Sequence, residues 1–158
     1  MNNIKKFSFL RFAACLVISL GAGALGALLA GGDFASYSAL NLPPPAFPPA
    51  VYIAVWTVLY VLMGIASYLV LQSAAEDTKN ALMLYGAYLI ANILWPPLFF
   101  GMQAFLAAFF LICGQILLII ACFSAYRKIN TTAAWLIFPV IIWSFFALYL
   151  NGGVLFLN

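Results

Sequence analysis

The stretch Ala-Asn-Ile-Leu-Trp-Pro-Pro-Leu-Phe-Phe-Gly, residues 91–101, lies inside an apolar run that is long enough to cross a lipid bilayer. A pair of prolines, an amide and an indole are costly there for a plain membrane anchor, because polar groups in hydrocarbon are expensive and usually functional. Proline is tolerated in such a run when neighbouring helices satisfy the backbone groups that it frees. The stretch therefore predicts a packed bundle of membrane helices that binds a ligand.

The composition places the whole chain in the membrane. Of its 158 residues, 68% are hydrophobic and 6% are charged, and the mean hydropathy is +1.16. A soluble domain carries roughly 25% charged residues, so residues 1–158 are expected to form a single integral membrane domain. The net charge of +3 comes from a few scattered basic residues, which is not the clustered basic surface that a nucleic-acid partner requires.

Five apolar runs are candidates for transmembrane helices, since a helical span needs about 20 mainly apolar residues. They cover about residues 9–30, 50–71, 81–100, 104–126 and 133–155. The runs are apolar all round rather than alternating, which argues against membrane strands. The expected fold is all-α, an integral membrane bundle of five transmembrane helices.

The charges of the loops predict how this bundle is oriented. One side of a five-span topology carries every basic residue, namely Lys5, Lys6, Arg11, Lys79, Arg127 and Lys128, and the other side carries only Asp33. By the positive-inside rule, the N-terminus is expected in the cytoplasm and the C-terminus outside. The proline-rich loop 31–49 then lies outside, either as a stiff lid over the bundle or as a spacer that starts the second helix.

Small residues recur at four-residue spacing in the first span, at Ala22, Gly26 and Ala30, and less regularly in the third span. Such faces let two helices approach closely. The spacing is compatible with packing inside the bundle and with packing between two protomers, and both alternatives stay open at this point.

Aromatic and amide side chains recur at helical spacing in the second and fifth spans. Tyr60 follows Trp56 by four residues, so the two share one helix face. Trp143 is followed at the same spacing by Ala147 and Asn151. Ligand pockets combine such apolar walls with a few orienting polar groups, although the same residues would also serve as belt aromatics and interhelical hydrogen bonds. The third and fourth spans offer Asn92 and Gln115.

No arrangement typical of a conventional enzyme is present in the sequence. It contains no histidine, no carboxylate pair inside a span and no phosphate-binding glycine loop, and Cys15, Cys113 and Cys122 lack metal-ligand spacing. No metal site and no obligatory cofactor are therefore expected. Any chemistry would have to come from a ligand, with the indoles of Trp56 and Trp143 as candidate electron donors.

Three motifs give the chain a family resemblance. They are Val-Trp-Thr-Val-Leu-Tyr-Val-Leu-Met-Gly at 55–64, Asn-Ile-Leu-Trp-Pro-Pro-Leu-Phe-Phe-Gly at 92–101, and Ala-Ala-Trp-Leu at 133–136 continuing through Pro139 to Trp-Ser-Phe-Phe-Ala at 143–147 and Leu-Asn at 150–151. From about Leu40 to the C-terminus, the chain resembles the translocator protein or tryptophan-rich sensory protein family, TspO/MBR.

The resemblance implies a five-helix bundle, commonly a homodimer, that binds porphyrins in a pocket covered by the loop between the first two helices. Some bacterial members are linked to light- and oxygen-dependent breakdown of protoporphyrin IX, and animal members also bind cholesterol and benzodiazepine-type drugs. The pocket positions of the family fall here on Trp56, Asn92, Trp95, Trp143, Ala147 and Asn151.

The chain departs from the family pattern at several positions. Pro45 stands where members usually carry a tryptophan in the proline-rich loop, and Ala50 stands where they carry another just after the Pro-Pro pair of that loop. Leu111 stands in place of an acidic residue of the fourth helix. No basic residue follows Tyr149, so the C-terminal cholesterol motif is incomplete and cholesterol recognition is not supported. These changes put the ligand preference of the lid in question.

The leading expectation is a receptor or sensor in a bacterial cell membrane that binds protoporphyrin IX or a related tetrapyrrole. The macrocycle would lie between Trp56 and Trp143, with Asn92 orienting a polar edge and Tyr60 and Trp95 contributing to the walls. The alternatives are light- and oxygen-dependent degradation of porphyrin, transport of small amphipathic molecules, and a structural role in a larger membrane complex.

Overall fold

The computed structural model describes residues 7–31, 37, 39–73 and 75–158. These residues form long helices and no strand. The helices are α1 Phe9–Leu29, α2 Pro49–Gln72, α3 Thr78–Pro96, α4 Phe105–Ile129 and α5 Thr131–Leu157, and a π-helical turn, Pro97–Gly101, extends α3. All five described helices are long and apolar enough to cross a membrane. The prediction of an all-α, five-helix membrane bundle is confirmed.

Several helices run further than the apolar segments of the sequence. α3 begins at Thr78 rather than near residue 81, and α4 ends at Ile129 rather than near 126. The last turn of α4 carries Arg127 and Lys128, and cations stabilise a helix C-terminus through its dipole. α5 begins early because the Asn130 side chain accepts a hydrogen bond from the Ala133 amide at 3.0 Å and caps the helix.

The two ends of the bundle differ in character. Described charged side chains lie exposed where α1 begins, α2 ends and α4 meets α5, and they are Arg11, Glu76, Asp77, Lys79, Arg127 and Lys128. We call this end the charged end, and the opposite end, where α1 joins α2, the lid end. Lys5, Lys6 and Asp33, on which the predicted orientation also depends, lie outside the described residues.

The helices pack more tightly toward the charged end than toward the lid end. α1 packs on α2 and α3, α2 on α5, and α4 on both α3 and α5. In the half near the charged end, Met63, Tyr88, Ile119, Tyr126 and Ile137 are fully buried and belong to one continuous core. The half near the charged end is therefore fully packed, whereas the half near the lid end encloses a cavity, which is the candidate site.

The Pro-Pro pair shapes the end of α3. Pro97 has no amide hydrogen to donate to the Ile93 carbonyl, so the α-helical pattern cannot continue. The chain widens instead, and Met102 donates to the Pro97 carbonyl at 2.8 Å, five residues back. α1 approaches this segment at Gly26, where an added methyl carbon would lie 3.2 Å from Pro96 Cγ and 3.3 Å from the Ile93 oxygen.

The small-residue face of α1 therefore packs inside the bundle. Ala22, Gly26 and Ala30 are all buried, which selects the first of the two alternatives for this stripe. Gly86 on α3 is different, because no described atom beyond its own helix lies within 4 Å of an added methyl carbon. The face of α3 that carries Gly86 also carries the exposed Met83 and Ile90, so this face points outward.

Candidate functional site

A cavity of about 470 Å³ occupies the lid half of the bundle, and all five described helices contribute to its lining. Seven of the lining residues were predicted site residues, namely Trp56, Tyr60, Asn92, Trp95, Trp143, Ala147 and Asn151. The fold thus brings side chains from α2, α3 and α5 to one place. Whether they contact a ligand stays a prediction.

Other lining residues were missed by the sequence reasoning. α1 contributes the small residues Gly23, Ala24 and Ala27, and the π-helical turn contributes Phe99 and Phe100. Tyr37, Leu42, Tyr52 and Phe146 complete the aromatic and apolar lining near the lid end. The only signal for the α1 residues is the run of glycines and alanines at 21–27, which indicates close packing but not a cavity.

The floor of the cavity is a hydrogen-bonded layer. Tyr60 donates from its hydroxyl to Asn92 Oδ1 at 3.2 Å, and Asn92 Nδ2 donates to the Tyr88 carbonyl at 3.3 Å. Gln115 Nε2 donates to the Ala91 carbonyl at 2.8 Å. Gly23 permits this arrangement, since an added methyl carbon there would collide with the ring of Tyr60. The floor amides are therefore oriented by the protein before any ligand arrives.

Aromatic rings form the wall between α2 and α5. The ring centroids of Trp56 and Tyr60 are 5.8 Å apart, those of Tyr52 and Trp143 6.2 Å, and those of Trp143 and Phe146 5.0 Å. These separations fall in the range of favourable aromatic pairs. The indole nitrogen of Trp143 is buried and has no hydrogen-bond partner among the described residues, and such an unmet donor is costly.

The wall formed by α3 and its π-helical turn is a second aromatic group. The rings of Trp95 and Phe99 stack at 4.7 Å with an angle of 18°, and Phe100 stands perpendicular to Trp95 at 5.7 Å. The Asn151 amide lies beside this stack. Oriented so that its oxygen faces the indole, it accepts from Trp95 Nε1 at 3.1 Å and donates to the Phe105 carbonyl at 3.2 Å.

The described part of the proline-rich loop, residues 39–48, is fastened to the last turns of α5. Asn41 and Asn158 exchange two hydrogen bonds of 3.0 Å between backbone and side chain. The Tyr149 hydroxyl donates to the Pro44 carbonyl at 2.6 Å. Because Leu42 and the preceding Tyr37 line the cavity, the loop covers it, which favours the lid over the spacer. We call residues 39–48 the lid.

The lining of the cavity is mainly apolar. No charged side chain lines the cavity in the part of the chain that the structure describes. Within the same residues, no group of three His, Cys, Asp or Glu side chains could hold a metal ion. Burial, and next the neighbouring Tyr52 hydroxyl, raises the pKa of Tyr37, so this phenol stays neutral. The cavity therefore suits a ligand whose buried part is apolar.

Comparison with known proteins agrees with this architecture. The model of the TspO/MBR family matches residues 13–157. The tryptophan-rich sensory protein of Cereibacter sphaeroides is 38% identical over 133 residues, covering 84% of this chain and 82% of the relative. The translocator protein of Ovis aries is 35% identical over 126 residues, covering 77% and 73%. The tryptophan-rich protein TspO of Chlorobaculum tepidum is 30% identical over 152 residues, covering 94% and 96%.

Proposed function

We propose that this chain, which belongs to the TspO/MBR family, is a membrane receptor that binds protoporphyrin IX or a related flat ligand inside its helix bundle. The observation that supports the proposal is a lid-covered cavity with aromatic walls and a floor of oriented amides. A relative in Cereibacter sphaeroides is named a tryptophan-rich sensory protein, which favours a sensing role for the bound state.

The size and lining of the cavity are adequate for such binding. Ligand sites are typically clefts of about 300–1,000 Å³ with mainly apolar walls, and this cavity measures about 470 Å³. Each aromatic contact adds about 0.5–1.5 kcal/mol beyond the buried area. Several such contacts together with apolar burial reach micromolar affinity, about −8.2 kcal/mol.

The distribution of polar groups suggests how a porphyrin would be oriented. A carboxylate buried without a partner is strongly unfavourable, and the described lining holds no cation. The propionates would therefore stay at the lid end, close to water. The apolar edge of the macrocycle would point toward the floor, between Trp56 and Trp143, with Asn92 meeting a neutral polar group of the ring.

A dark titration with protoporphyrin IX, followed by quenching of tryptophan fluorescence, tests the proposal. Trp143→Ala removes one wall, and we expect the affinity to fall at least about tenfold, which corresponds to about 1.4 kcal/mol. Trp135→Ala is the matched control, because Trp135 is 55% exposed and lies near the charged end outside the cavity. Equal affinities of the wild type and Trp143→Ala would refute the site.

Light-dependent degradation of the bound porphyrin is a second candidate function. Light absorbed by the bound porphyrin would convert molecular oxygen into reactive oxygen, which is the oxidant that breaks the macrocycle. Trp56 and Trp143 line the same cavity, and their indoles would take part as electron donors. Illumination of the Trp56→Phe and Trp143→Phe variants with bound protoporphyrin IX separates the functions. We expect slower loss of porphyrin absorbance in both variants. Undiminished loss in both would remove the indoles from the reaction.

We also propose a homodimer in a bacterial cell membrane, with the N-terminus in the cytoplasm. The outward-facing part of α3 around Gly86 supports a close helix contact between protomers, and the exposed basic residues of the charged end support the orientation. Native mass spectrometry of gently solubilised protein tests the dimer. Labelling of single cysteines placed at either terminus by a membrane-impermeant reagent tests the orientation.

A further inference from the structure

Asn151 stands out among the predicted site residues because both partners of its amide lie outside its own helix, on two different segments of the chain. Its side chain is almost completely buried, with 1% exposed. The oxygen accepts from Trp95 Nε1 and the nitrogen donates to the Phe105 carbonyl. Because the oxygen and the nitrogen are each held by a protein partner, the orientation of this buried amide is set before any ligand binds.

The two partners of Asn151 lie on either side of the break between α3 and α4. Trp95 precedes the Pro-Pro pair, and Phe105 is the first residue of α4. α5 therefore connects, through one side chain, the two segments that the π-helical turn separates. Within the break itself, the Met102 amide donates to the Pro97 carbonyl and the Ala104 amide to the Leu98 carbonyl, and Asn151 adds a connection from α5.

The group that Asn151 holds is the aromatic wall of the cavity. Trp95 stacks on Phe99, and Phe99 in turn contacts Phe105 edge to face at 5.2 Å. A hydrogen bond to the indole nitrogen restricts rotation of the Trp95 ring about its side-chain bonds. It also occupies the only polar atom of that ring, so Trp95 meets a ligand through carbon atoms alone.

We infer that Asn151 is a positioning residue, which fixes the Trp95–Phe99 wall across the α3–α4 break and makes that wall purely apolar. It does not contact the ligand through its amide. The inference rests on the proposed function only where it concerns ligand affinity, since the bond between Asn151 and Trp95 exists in the empty protein. It replaces the direct ligand contact that the family resemblance implied for this residue.

The positioning role is tested first without a ligand. The chain has four tryptophans, so a proton–nitrogen NMR spectrum of labelled protein in micelles resolves four indole N–H signals, and Trp95→Phe identifies the signal of Trp95. In Asn151→Leu, we expect this signal to move to the position of a free indole and to exchange faster with D₂O. Leu150→Ala, which alters a neighbouring lining residue without a hydrogen bond, should leave it in place. An unmoved Trp95 signal in Asn151→Leu overturns the inference.

Binding of protoporphyrin IX then distinguishes positioning from direct contact. Asn151→Leu and Trp95→Phe break the same hydrogen bond, and we expect each to weaken affinity by about three- to tenfold. The double variant should bind protoporphyrin IX with the same affinity as the single variant that binds less tightly, because one interaction cannot be lost twice. Losses that multiply in the double variant would indicate a ligand contact by Asn151 and would overturn the inference.

Failure of the proposed function would be recognised separately. If the wild-type protein does not bind protoporphyrin IX, the titration refutes the proposed ligand and says nothing about Asn151. The NMR experiment, which needs no ligand, still decides whether Asn151 accepts a hydrogen bond from Trp95. If Asn151→Leu proves too unstable to purify, Trp95→Phe supplies the same comparison. It keeps an aromatic side chain but lacks the indole N–H, so it should shift the Asn151 side-chain amide signals in the same experiment.

Discussion

Single polar side chains in this bundle connect several helices at once. Ser19 is the clearest example, since it is completely buried on α1. Its hydroxyl donates to the Tyr60 carbonyl of α2 at 2.7 Å and lies 2.7 Å from the Tyr85 hydroxyl of α3. It thereby supports the backbone of Tyr60, whose own hydroxyl orients the cavity floor.

Ser19→Ala should destabilise the bundle by about 1–3 kcal/mol, because it leaves the buried Tyr85 hydroxyl without its partner. The free energy of unfolding in mixed micelles, followed by circular dichroism, measures the change. Ser124→Ala is the control, since the exposed Ser124 hydroxyl bonds only to the Ile120 carbonyl of its own helix. Equal stability of the two variants would show that Ser19 does not connect the helices.

At the scale of elements, the break after α3 decides the shape of the cavity. Phe99 and Phe100 line the cavity from this widened turn. The same break frees the Ile93 carbonyl, and α1 comes close to it at Gly26. The prolines therefore set both a wall of the site and the packing of a neighbouring helix.

Pro97→Ala restores an amide that can donate to the Ile93 carbonyl, so we expect α3 to become more regular. The melting temperature should stay the same or rise, because proline inside a helix costs about 3 kcal/mol. Affinity for protoporphyrin IX should fall, since the narrower α-helical turn shifts Phe99 and Phe100 from their present positions on the lining. Pro139→Ala is the matched control on α5, because Pro139 does not line the cavity. Unchanged affinity in Pro97→Ala would contradict the role of the break.

Gly26→Ala should separate α1 from α3. The added methyl carbon would meet Pro96 and Ile93 at 3.2–3.4 Å, and overpacking of this kind costs about 1–3 kcal/mol. Gly21 lies on the same helix, and an added methyl carbon there would meet no described atom within 4 Å. Gly21→Ala should therefore stabilise α1 by up to about 1 kcal/mol through its higher helix propensity. Melting temperatures that move in opposite directions are expected. A parallel shift would argue against close contact at Gly26.

For the whole molecule, the decisive feature is the attachment of the lid to α5. The helix that carries Trp143 and Ala147 into the cavity also holds Asn41 and Pro44 of the lid at its last turns. Gly153 lies under Pro43, and an added methyl carbon there would collide with the proline ring. Opening of the lid is therefore expected to disturb the α5 wall of the site.

Gly153→Ala should displace the lid while the helices remain folded. We expect faster association and faster dissociation of protoporphyrin IX, measured by stopped-flow fluorescence, together with helical content equal to that of the wild type. Gly114→Ala is the control, because no described atom outside its helix lies within 4 Å of the added carbon. Unchanged rates in Gly153→Ala would mean that the lid does not limit access to the cavity.

The sequence alone determined the membrane class, the number of spans and the family. These properties depend on local features, since a bilayer demands apolar runs of a given length and backbone groups that are satisfied within each helix. The faces of Trp56 with Tyr60 and of Trp143 with Ala147 followed from helical spacing for the same reason. The Pro-Pro pair is recognisable as helix-breaking because proline lacks an amide hydrogen wherever it stands, but the predicted span of residues 81–100 continues past it, and only the structure shows that α3 ends at Pro96.

Only the tertiary structure decided which polar side chains bond to other helices and which residues enclose the cavity. The partners of Asn151 lie on α3 and α4, and Asn41 meets Asn158 across a separation of 117 residues. The part of α1 that lines the cavity carries no aromatic or polar side chain, only small and aliphatic residues such as Gly23 and Ala27, whose value lies in the space they leave. Such contacts depend on how helices meet in three dimensions, and spacing along one helix does not contain that information.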